Sequence, residues 1–250
     1  MKTIIVIVAV YYYEETKRFL NNLNIYDSGI EYDLCLVVNN KEPDYVTNRN
    51  IISNDERDSV LSLVNDFEKG NKNIIIRDNK GEDIGAFKEG YEKNKGKYKY
   101  YFFINSPAII LCNNWLLNFY SVYEKYDKVG AIAVQVGNGR NPPKWYIKTT
   151  WWSMRNEVID KMIWAEPNNR IDCINQEHDL FYPHVKSMNF DVAQVDDITN
   201  SFKYIKYGKQ ICEPITMHEH DKCFNLYEDG HKEYFVCYEN KKRKDNMWLF

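Results

Sequence analysis

The first 105 residues alternate short apolar runs with amphipathic segments, and this alternation most strongly limits how the chain can fold. The run TIIVIVAV at 3–10 is continuous and rich in β-branched residues, which is typical of a strand covered on both faces. Similar runs occur at 32–40, 73–79 and 98–105, separated by segments with helical periodicity. Successive strand–helix units imply right-handed crossovers, so the sequence predicts an α/β fold with a mostly parallel central sheet.

The second half of the chain is less regular. Helices are predicted over 113–126, 155–163 and 173–185, and strands over 129–136 and 190–195. Beyond about residue 200 the pattern fades into an aromatic and charged tail. The chain has no internal repeat and no low-complexity linker, so we expect a single domain over 1–250.

Composition excludes several classes of function. The net charge of −3 gives no electrostatic case for binding nucleic acid or an anionic membrane, and the basic run KKRKD at 241–245 is interpreted as a solvated tail. The six cysteines form no Cys-x-x-Cys pair, which argues against a zinc ribbon and fits a reducing compartment. The N-terminal apolar run is about half the length of a membrane span. We therefore expect a soluble, cytoplasmic protein with no transmembrane segment.

The carboxyl ends of the predicted strands define the candidate site, because ligands of open α/β sheets bind there. These ends carry groups able to meet a nucleotide: tyrosines that could stack on a base, and asparagines that donate and accept hydrogen bonds. The predicted contacts at these strand ends are Val10, Tyr11, Tyr12, Asn39, Asn79, Asn105 and Ser106.

The segment NKGEDIGAF at 79–87 lies between the third strand and the third helix. It is neither a G-x-G-x-x-G fingerprint nor a P-loop. One interpretation is a plain turn, with Gly81 at positive φ, Asp83 as N-cap and Gly85 allowing close packing. The other is a phosphate site, because the free N–H groups and dipole of a helix N-terminus attract anions.

NKGEDIGAFKEGY followed by YKYYFFINSP resembles the GT-A fold glycosyltransferases related to rhamnan-synthesis and capsule-polysaccharide proteins. TTWWSMRNEVID and NQEHDLFYPHV are similar to later segments of that family, and the resemblance covers roughly residues 3–195. It implies a Rossmann-like three-layer sandwich. The expected parts are a nucleotide-sugar-binding half at 1–106, an acceptor-side half at 107–200, and a C-terminal tail at 201–250 that packs on the domain.

The resemblance also implies an activity, namely transfer of a hexosyl or deoxyhexosyl group from a UDP-, GDP- or dTDP-linked donor. The acceptor would be a hydroxyl of a glycan or glycoconjugate, as in polysaccharide biosynthesis. Carried over residue by residue, Asn79, Gly81, Asp83 and Gly85 would line the donor pocket. Asp83 would bond ribose or sugar hydroxyls, and the turn N–H groups would face the diphosphate.

In the family that the chain resembles, the tyrosine-rich strand ends in Asn-Asp-Ser or an Asp-x-Asp-type metal-binding motif. This sequence has Asn105 and Ser106 at that position. Mn²⁺ and Mg²⁺ prefer carboxylate oxygens, and this segment supplies none. The diphosphate charge would then be met by helix N–H groups, by a metal held elsewhere, or by a cation. The candidate cations are Arg77, Lys80 and Arg155. A late histidine ligates metal in several GT-A enzymes, so His218 and His220 are the metal candidates, with solvated or structural histidines as the alternative.

An inverting transfer needs a general base, usually a carboxylate. Glu177 is the first candidate and Asp179 the second, because a helical phase would place Leu180 on the inward face near Glu177. The alternative is a surface helix with ordinary charges.

Trp151 and Trp152 could form the floor of an acceptor-sugar site, although a core position for at least one is the competing interpretation. Two other functions stay open. One is a catalytically inactive GT-A-like module that binds a sugar nucleotide or glycan for a partner. The other, a nucleotidyltransferase, is disfavoured because VYYYEE replaces a Gly-rich basic signature after the first strand.

Overall fold

The computed structural model contains the predicted strand–helix units in the first half of the chain. It describes residues 2–41, 53–108, 110, 113–133, 136–138, 145–147, 149, 151–164, 172–173, 175, 177–195, 201–206 and 209–216. In chain order, the first elements are β1 (Lys2–Val10), α1 (Tyr13–Ile25), β2 (Asp33–Lys41), α2 (Asn54–Asp66), β3 (Asn71–Asp78), α3 (Glu82–Asn94) and β4 (Tyr98–Asn105).

The second half contains shorter elements. They are α4 (Trp115–Lys125), β5 (Val129–Ala133), β6 (Val136–Asn138), β7 (Trp145–Ile147), β8 (Trp151–Arg155), α5 (Asn156–Ile159), a π-helical turn (Glu177–Phe181), α6 (Tyr182–Ser187), β9 (Asp191–Val195), β10 (Ser201–Lys206) and β11 (Lys209–Thr216).

Three predictions for the second half need correction. The helix predicted over 155–163 is the single turn α5. The helix predicted over 173–185 contains the π-helical turn, and α6 begins only at Tyr182, with a proline in its first turn. Residues 201–216, predicted as part of an irregular tail, contain β10 and β11, which extend the sheet beyond β9.

The central sheet has nine strands in the order β11-β10-β9-β5-β8-β4-β1-β2-β3. Only β8 and β10 run against the other strands of this sheet. The predicted α/β class with a mostly parallel central sheet is therefore confirmed. β6 and β7 form a separate antiparallel pair that lies in the chain between β5 and β8.

Helices cover both faces of the sheet, which explains why β1 is apolar along its whole length. Alternate residues of β1 face opposite layers, since side chains of a strand alternate. Ile4, Val6 and Val8 join the core cluster under α1, α2 and α4. Ile5 and Ile7 join the cluster under α3, α5 and α6. Each such buried side chain contributes about 1.5–3 kcal/mol of hydrophobic stabilisation.

The strand ends define two opposite edges of the sheet. The carboxyl edge comprises the ends of β1–β4 and the start of β8, which is antiparallel to β4 with Trp151 opposite Ile104. The amino edge comprises the starts of β1–β4. In the part of the chain that the structure describes, no helix is long and apolar enough to cross a membrane.

Candidate functional site

The turn between β3 and α3 has the conformation that its glycines predict. Gly81 has φ 80° and ψ 20°, in the left-handed region, which confirms the expected positive φ. Gly81 is also the N-cap of α3, so Asp83 is not the cap but lies inside the first turn. The Ile84 N–H donates to Asp83 Oδ1 at 2.9 Å.

Gly85 permits the tight approach of the turn to the helix. A Cβ at this position would lie 2.0 Å from the Lys80 carbonyl oxygen and 2.7 Å from Arg77 Nη2. The Gly85 N–H donates to the Gly81 carbonyl at 2.8 Å. The prediction that Gly85 serves close packing is confirmed.

Arg77 holds this turn in place and is not a free cation for a diphosphate. Its side chain is 9% exposed and its Nε donates to Glu89 at 3.0 Å. Nη1 donates to Asn39 Oδ1 and Nη2 to the Lys80 carbonyl, both at 2.5 Å. Asn39 is buried and donates in turn to the Glu82 carbonyl at 3.5 Å. Arg77 and Asn39 therefore brace β2, β3 and α3 together.

The other candidate cations are placed differently. Arg155 lies at the amino edge, where its Nε donates to the Val129 carbonyl at 2.5 Å and its Nη2 to the Tyr123 carbonyl at 2.8 Å. It is therefore remote from the predicted donor pocket. Lys80 is exposed on the turn. Arg18 of α1 was not predicted, yet it reaches the carboxyl edge and donates to the Pro107 carbonyl at 3.2 Å.

Asp83 lies at the centre of a polar cluster that joins α3, β4 and the start of β8. Its Oδ2 accepts a hydrogen bond from Asn105 Nδ2 at 3.0 Å and another from Thr149 Oγ1 at 3.2 Å. Burial raises the pKa of Asp83, and the hydrogen bonds from Asn105, the Ile84 N–H and Thr149 offset this only in part. Thr149 lies two residues before β8 and was not predicted.

Asn79, at the end of β3, is 6% exposed. None of the residues that the structure describes donates a hydrogen bond to its buried Oδ1. Buried polar groups in folded proteins nearly always have a partner. This oxygen is therefore the candidate contact for a ligand that donates an N–H or O–H.

The ends of β1 and β4 contribute backbone and aromatic groups. Tyr11 and Tyr12 are partly exposed, with ring centroids 4.6 Å apart in a T-shaped arrangement. Val10 is fully buried, so its side chain is not available to a donor. Ser106 is also buried, and its N–H donates to the Ala9 carbonyl at 3.0 Å, which joins the two strand ends.

The structure contradicts the acceptor-binding role of Trp151 and Trp152, because both are fully buried. They project to opposite faces of β8, as successive strand residues must. Trp151 stacks on Phe119 with centroids 5.4 Å apart, in the layer of α4. Trp152 stacks on Phe103 at 4.2 Å, in the layer of α3. Both tryptophans therefore belong to the core.

The two candidate bases lie on the π-helical turn. Leu180 is 37% exposed and Phe181 is fully buried, so the helical phase that favoured Glu177 over Asp179 is wrong. A π-helical turn has more residues per turn than an α-helix, which shifts the inward face by one residue. Asp179 is partly exposed, and the side chain of Glu177 lies outside the described residues.

The two metal candidates, His218 and His220, also lie outside the described residues. Within the described ranges, no group of three or more His, Cys, Asp or Glu side chains could hold a metal ion.

No protein-family model matches the chain, and no curated protein is similar enough to match it. The similarity to the rhamnan-synthesis and capsule-polysaccharide glycosyltransferases therefore rests on the sequence motifs alone.

Solved structures are similar to the chain over part of its length. A Desulfovibrio desulfuricans protein named for nucleotide-diphospho-sugar transfer is 11% identical, covering 78% of this chain and 80% of its own, with a TM-score of 0.41. Mouse xyloside xylosyltransferase 1 is 8% identical over 64% and 69%, with a TM-score of 0.41. The 4-diphosphocytidyl-2C-methyl-D-erythritol synthase of Anaerococcus prevotii is 12% identical over 63% and 73%, with a TM-score of 0.38. At these identities and TM-scores, neither the substrate nor the reaction of these proteins can be assigned to this chain.

Proposed function

We propose that this protein binds a nucleotide-sugar donor at the carboxyl edge and transfers the sugar, with inversion, to a hydroxyl of a glycan or glycoconjugate. The observation that carries the proposal is the buried Oδ1 of Asn79, which accepts no hydrogen bond from any described residue. A buried acceptor left unpaired costs about 1–3 kcal/mol. A nucleobase, ribose or sugar can relieve this cost, because each carries N–H or O–H donors.

Other groups at the carboxyl edge support a nucleotide as the ligand. The partly exposed rings of Tyr11 and Tyr12 offer an aromatic surface for a base. The turn at Gly81 and Gly85 brings backbone close to the end of β3. The exposed ammonium of Lys80 supplies a positive charge for a diphosphate. UDP-, GDP- and dTDP-linked hexoses or deoxyhexoses are the donors that the family resemblance favours.

We propose Glu177 or Asp179 as the general base. In an inverting transfer the base accepts the proton of the acceptor hydroxyl while that oxygen bonds to the anomeric carbon. The bond from this carbon to the diphosphate oxygen breaks, and the nucleoside diphosphate leaves with the electron pair. The turn that carries both residues packs against β7, and Phe181 stacks on Trp152 with centroids 4.7 Å apart. Turns of this π-helical kind occur frequently at functional sites.

A non-catalytic module that binds a sugar nucleotide or glycan for a partner is the second candidate. Asn105 favours it, because an amide stands where the family resemblance predicts a metal-binding carboxylate. Both candidate functions require donor binding, but only the glycosyltransferase turns the donor over. Donor binding and turnover are therefore measured separately.

Donor binding is tested by titrating UDP, GDP and dTDP into the protein in a calorimeter. Replacing Asn79 with alanine removes the unpaired acceptor, and we expect Asn79→Ala to weaken binding about tenfold. The matched control is Asn73→Ala, which changes an exposed asparagine of β3, the strand before Asn79, and should leave affinity unchanged. If none of the three nucleotides binds to the unaltered protein, the proposed donor site is wrong.

Turnover is tested by following release of nucleoside diphosphate from a panel of UDP-, GDP- and dTDP-sugars. We expect Glu177→Gln or Asp179→Asn to slow release by at least about 100-fold while donor affinity stays unchanged. The variant with the larger effect identifies the base. Donor binding without release across the whole panel would favour the non-catalytic module.

A further inference from the structure

At the end of β4, two hydrogen-bond donors contact the Asp83 carboxylate, which a divalent cation would need as a ligand. Asn105 Nδ2 and Thr149 Oγ1 donate to the same oxygen of Asp83, at 3.0 and 3.2 Å. A carboxylate oxygen has two lone pairs, so both are engaged. The other oxygen, Oδ1, accepts from the Ile84 N–H at 2.9 Å. A cation approaching Asp83 Oδ2 would therefore meet the hydrogens of an amide and a hydroxyl.

The charge of this cluster is also unsuited to a divalent metal. Mg²⁺ and Mn²⁺ are held by carboxylate oxygens together with water or phosphate. Of the three side chains only Asp83 can be charged, and burial raises its pKa, which disfavours the ionised form. The amide of Asn105 and the hydroxyl of Thr149 add no negative charge. The donor set of the described residues thus does not fit Mg²⁺ or Mn²⁺.

We propose that the Asn105–Asp83–Thr149 cluster excludes divalent metal, and that Asn105 is the residue that determines this property. On the function proposed above, the diphosphate of the donor then binds without a metal ion at the end of β4. Asn105→Asp should reverse the property. It replaces the donating amide with a carboxylate next to Asp83, and two carboxylates at this separation repel each other unless one of them is protonated or a cation lies between them. The variant is therefore tested at a pH well above the ordinary carboxyl pKa, where Mn²⁺ competes best with the proton.

The direct test is a titration of Mn²⁺ into the protein without nucleotide, in which electron paramagnetic resonance measures the free Mn²⁺. The unaltered protein should show no Mn²⁺ binding that depends on Asp83, and Asn105→Asp should bind Mn²⁺ at least about tenfold more tightly than the unaltered protein does. Asn73→Asp is the matched control, since it adds the same charge at an exposed position of β3. Adding Asp83→Asn to Asn105→Asp should abolish the gain.

Tight Mn²⁺ binding by the unaltered protein that Asp83→Asn removes would overturn the proposal. So would a folded Asn105→Asp variant with no gain in Mn²⁺ affinity. The melting temperature measured with and without Mn²⁺ shows whether the variant is folded, and the ion should raise it only for Asn105→Asp. If the variant does not fold, the proposal is tested instead by the effect of Mn²⁺ on nucleotide binding by the unaltered protein.

In this second test, UDP, GDP and dTDP are titrated into the unaltered protein, once in the presence of Mn²⁺ and once in the presence of EDTA. Equal affinity within about twofold is expected, since no metal takes part at this site. The metal exclusion is overturned if Mn²⁺ raises nucleotide affinity tenfold or more and Asp83→Asn abolishes this increase. The same result would support the proposed donor site. If no nucleotide binds with Mn²⁺ or with EDTA, only the proposed donor site is contradicted. The exclusion of divalent metal is still tested by the titration of Mn²⁺ without nucleotide.

Discussion

Asp33 and Asp83 lie at opposite edges of the sheet, and their surroundings differ in charge. Asp33 begins β2 at the amino edge, where it accepts hydrogen bonds from Lys2 Nζ and the Tyr98 hydroxyl, both at 2.5 Å, and from Asn71 Nδ2 at 3.2 Å. These partners tie together the starts of β1, β3 and β4. Asp83 at the carboxyl edge has a comparable number of partners, all of them neutral.

The two environments move the two pKa values in opposite directions. Burial alone would raise the pKa of Asp33, but the hydrogen bonds from Lys2, Tyr98 and Asn71 and the charge of Lys2 outweigh it, so the pKa is lowered. For Asp83, burial prevails and the pKa is raised. Asp33 therefore stabilises the fold as a carboxylate, whereas ionised Asp83 works against it. A carboxyl group kept in an unfavourable environment is a functional-site candidate.

The largest expected effect contrasts a glycine at each edge. Gly85→Ala should destabilise the protein by about 3 kcal/mol, because its Cβ would overlap the backbone of the turn. Gly96, at the amino edge, has open space around it and φ 72°, so Gly96→Ala should cost about 1 kcal/mol from backbone strain alone. Urea unfolding measures both. Equal losses would contradict the close approach at Gly85.

The aspartates themselves give the next largest effect. At neutral pH, Asp33→Asn should lower the free energy of unfolding by about 1 kcal/mol, since a charge-assisted hydrogen bond is lost. Asp83→Asn should leave it unchanged or raise it, because the neutral amide avoids burying a charge. Urea unfolding of the two variants beside the unaltered protein measures the difference.

The stability that each carboxyl group contributes, measured as the unaltered protein minus its Asn variant, should change with pH in opposite directions for Asp33 and Asp83. Asp33 has a lowered pKa, so its stabilisation is present above its ordinary value of 3.8 and is lost as the pH falls below it. Asp83 has a raised pKa, so its folded state holds the proton more tightly, and stability is lost as the pH rises above 3.8 through the folded value. Unfolding measured from acid to neutral pH checks both slopes. Parallel slopes would show that the two carboxyl groups do not differ.

The smallest effect is expected for Lys2, the charged partner of Asp33. Its side chain is 60% exposed, so the ion pair is screened by solvent. Lys2→Met should cost about 0.5 kcal/mol at low salt and nothing measurable in about 1 M salt. A loss that persists at high salt would mean that Lys2 acts through packing.

The sequence predicted the first half of the fold well because its patterns are local. The strands β1–β4 contain apolar runs and the helices between them are amphipathic, and the positive φ of Gly81 follows from its place in the turn. The second half depends on tertiary contacts. The exposed position of Leu180 follows from a π-helical turn, which no residue type specifies.

The candidate site was predicted in part for the same reason. Asn79 and Asp83 were found because they follow β3 in the chain. Thr149 was missed because β8 is antiparallel, so that its beginning rather than its end reaches the carboxyl edge. Arg77 could be recognised as a cation, but its commitment to Glu89 and Asn39 depends on distances that the sequence does not contain.

The largely buried guanidinium of Arg77 has a thermodynamic consequence for ligand association. It orders the turn after β3 before any ligand arrives, by joining that turn to β2 and α3. A turn that is already ordered loses little conformational freedom on binding. The heat-capacity change of association should therefore match the surface that the ligand itself covers, with no contribution from folding of the turn.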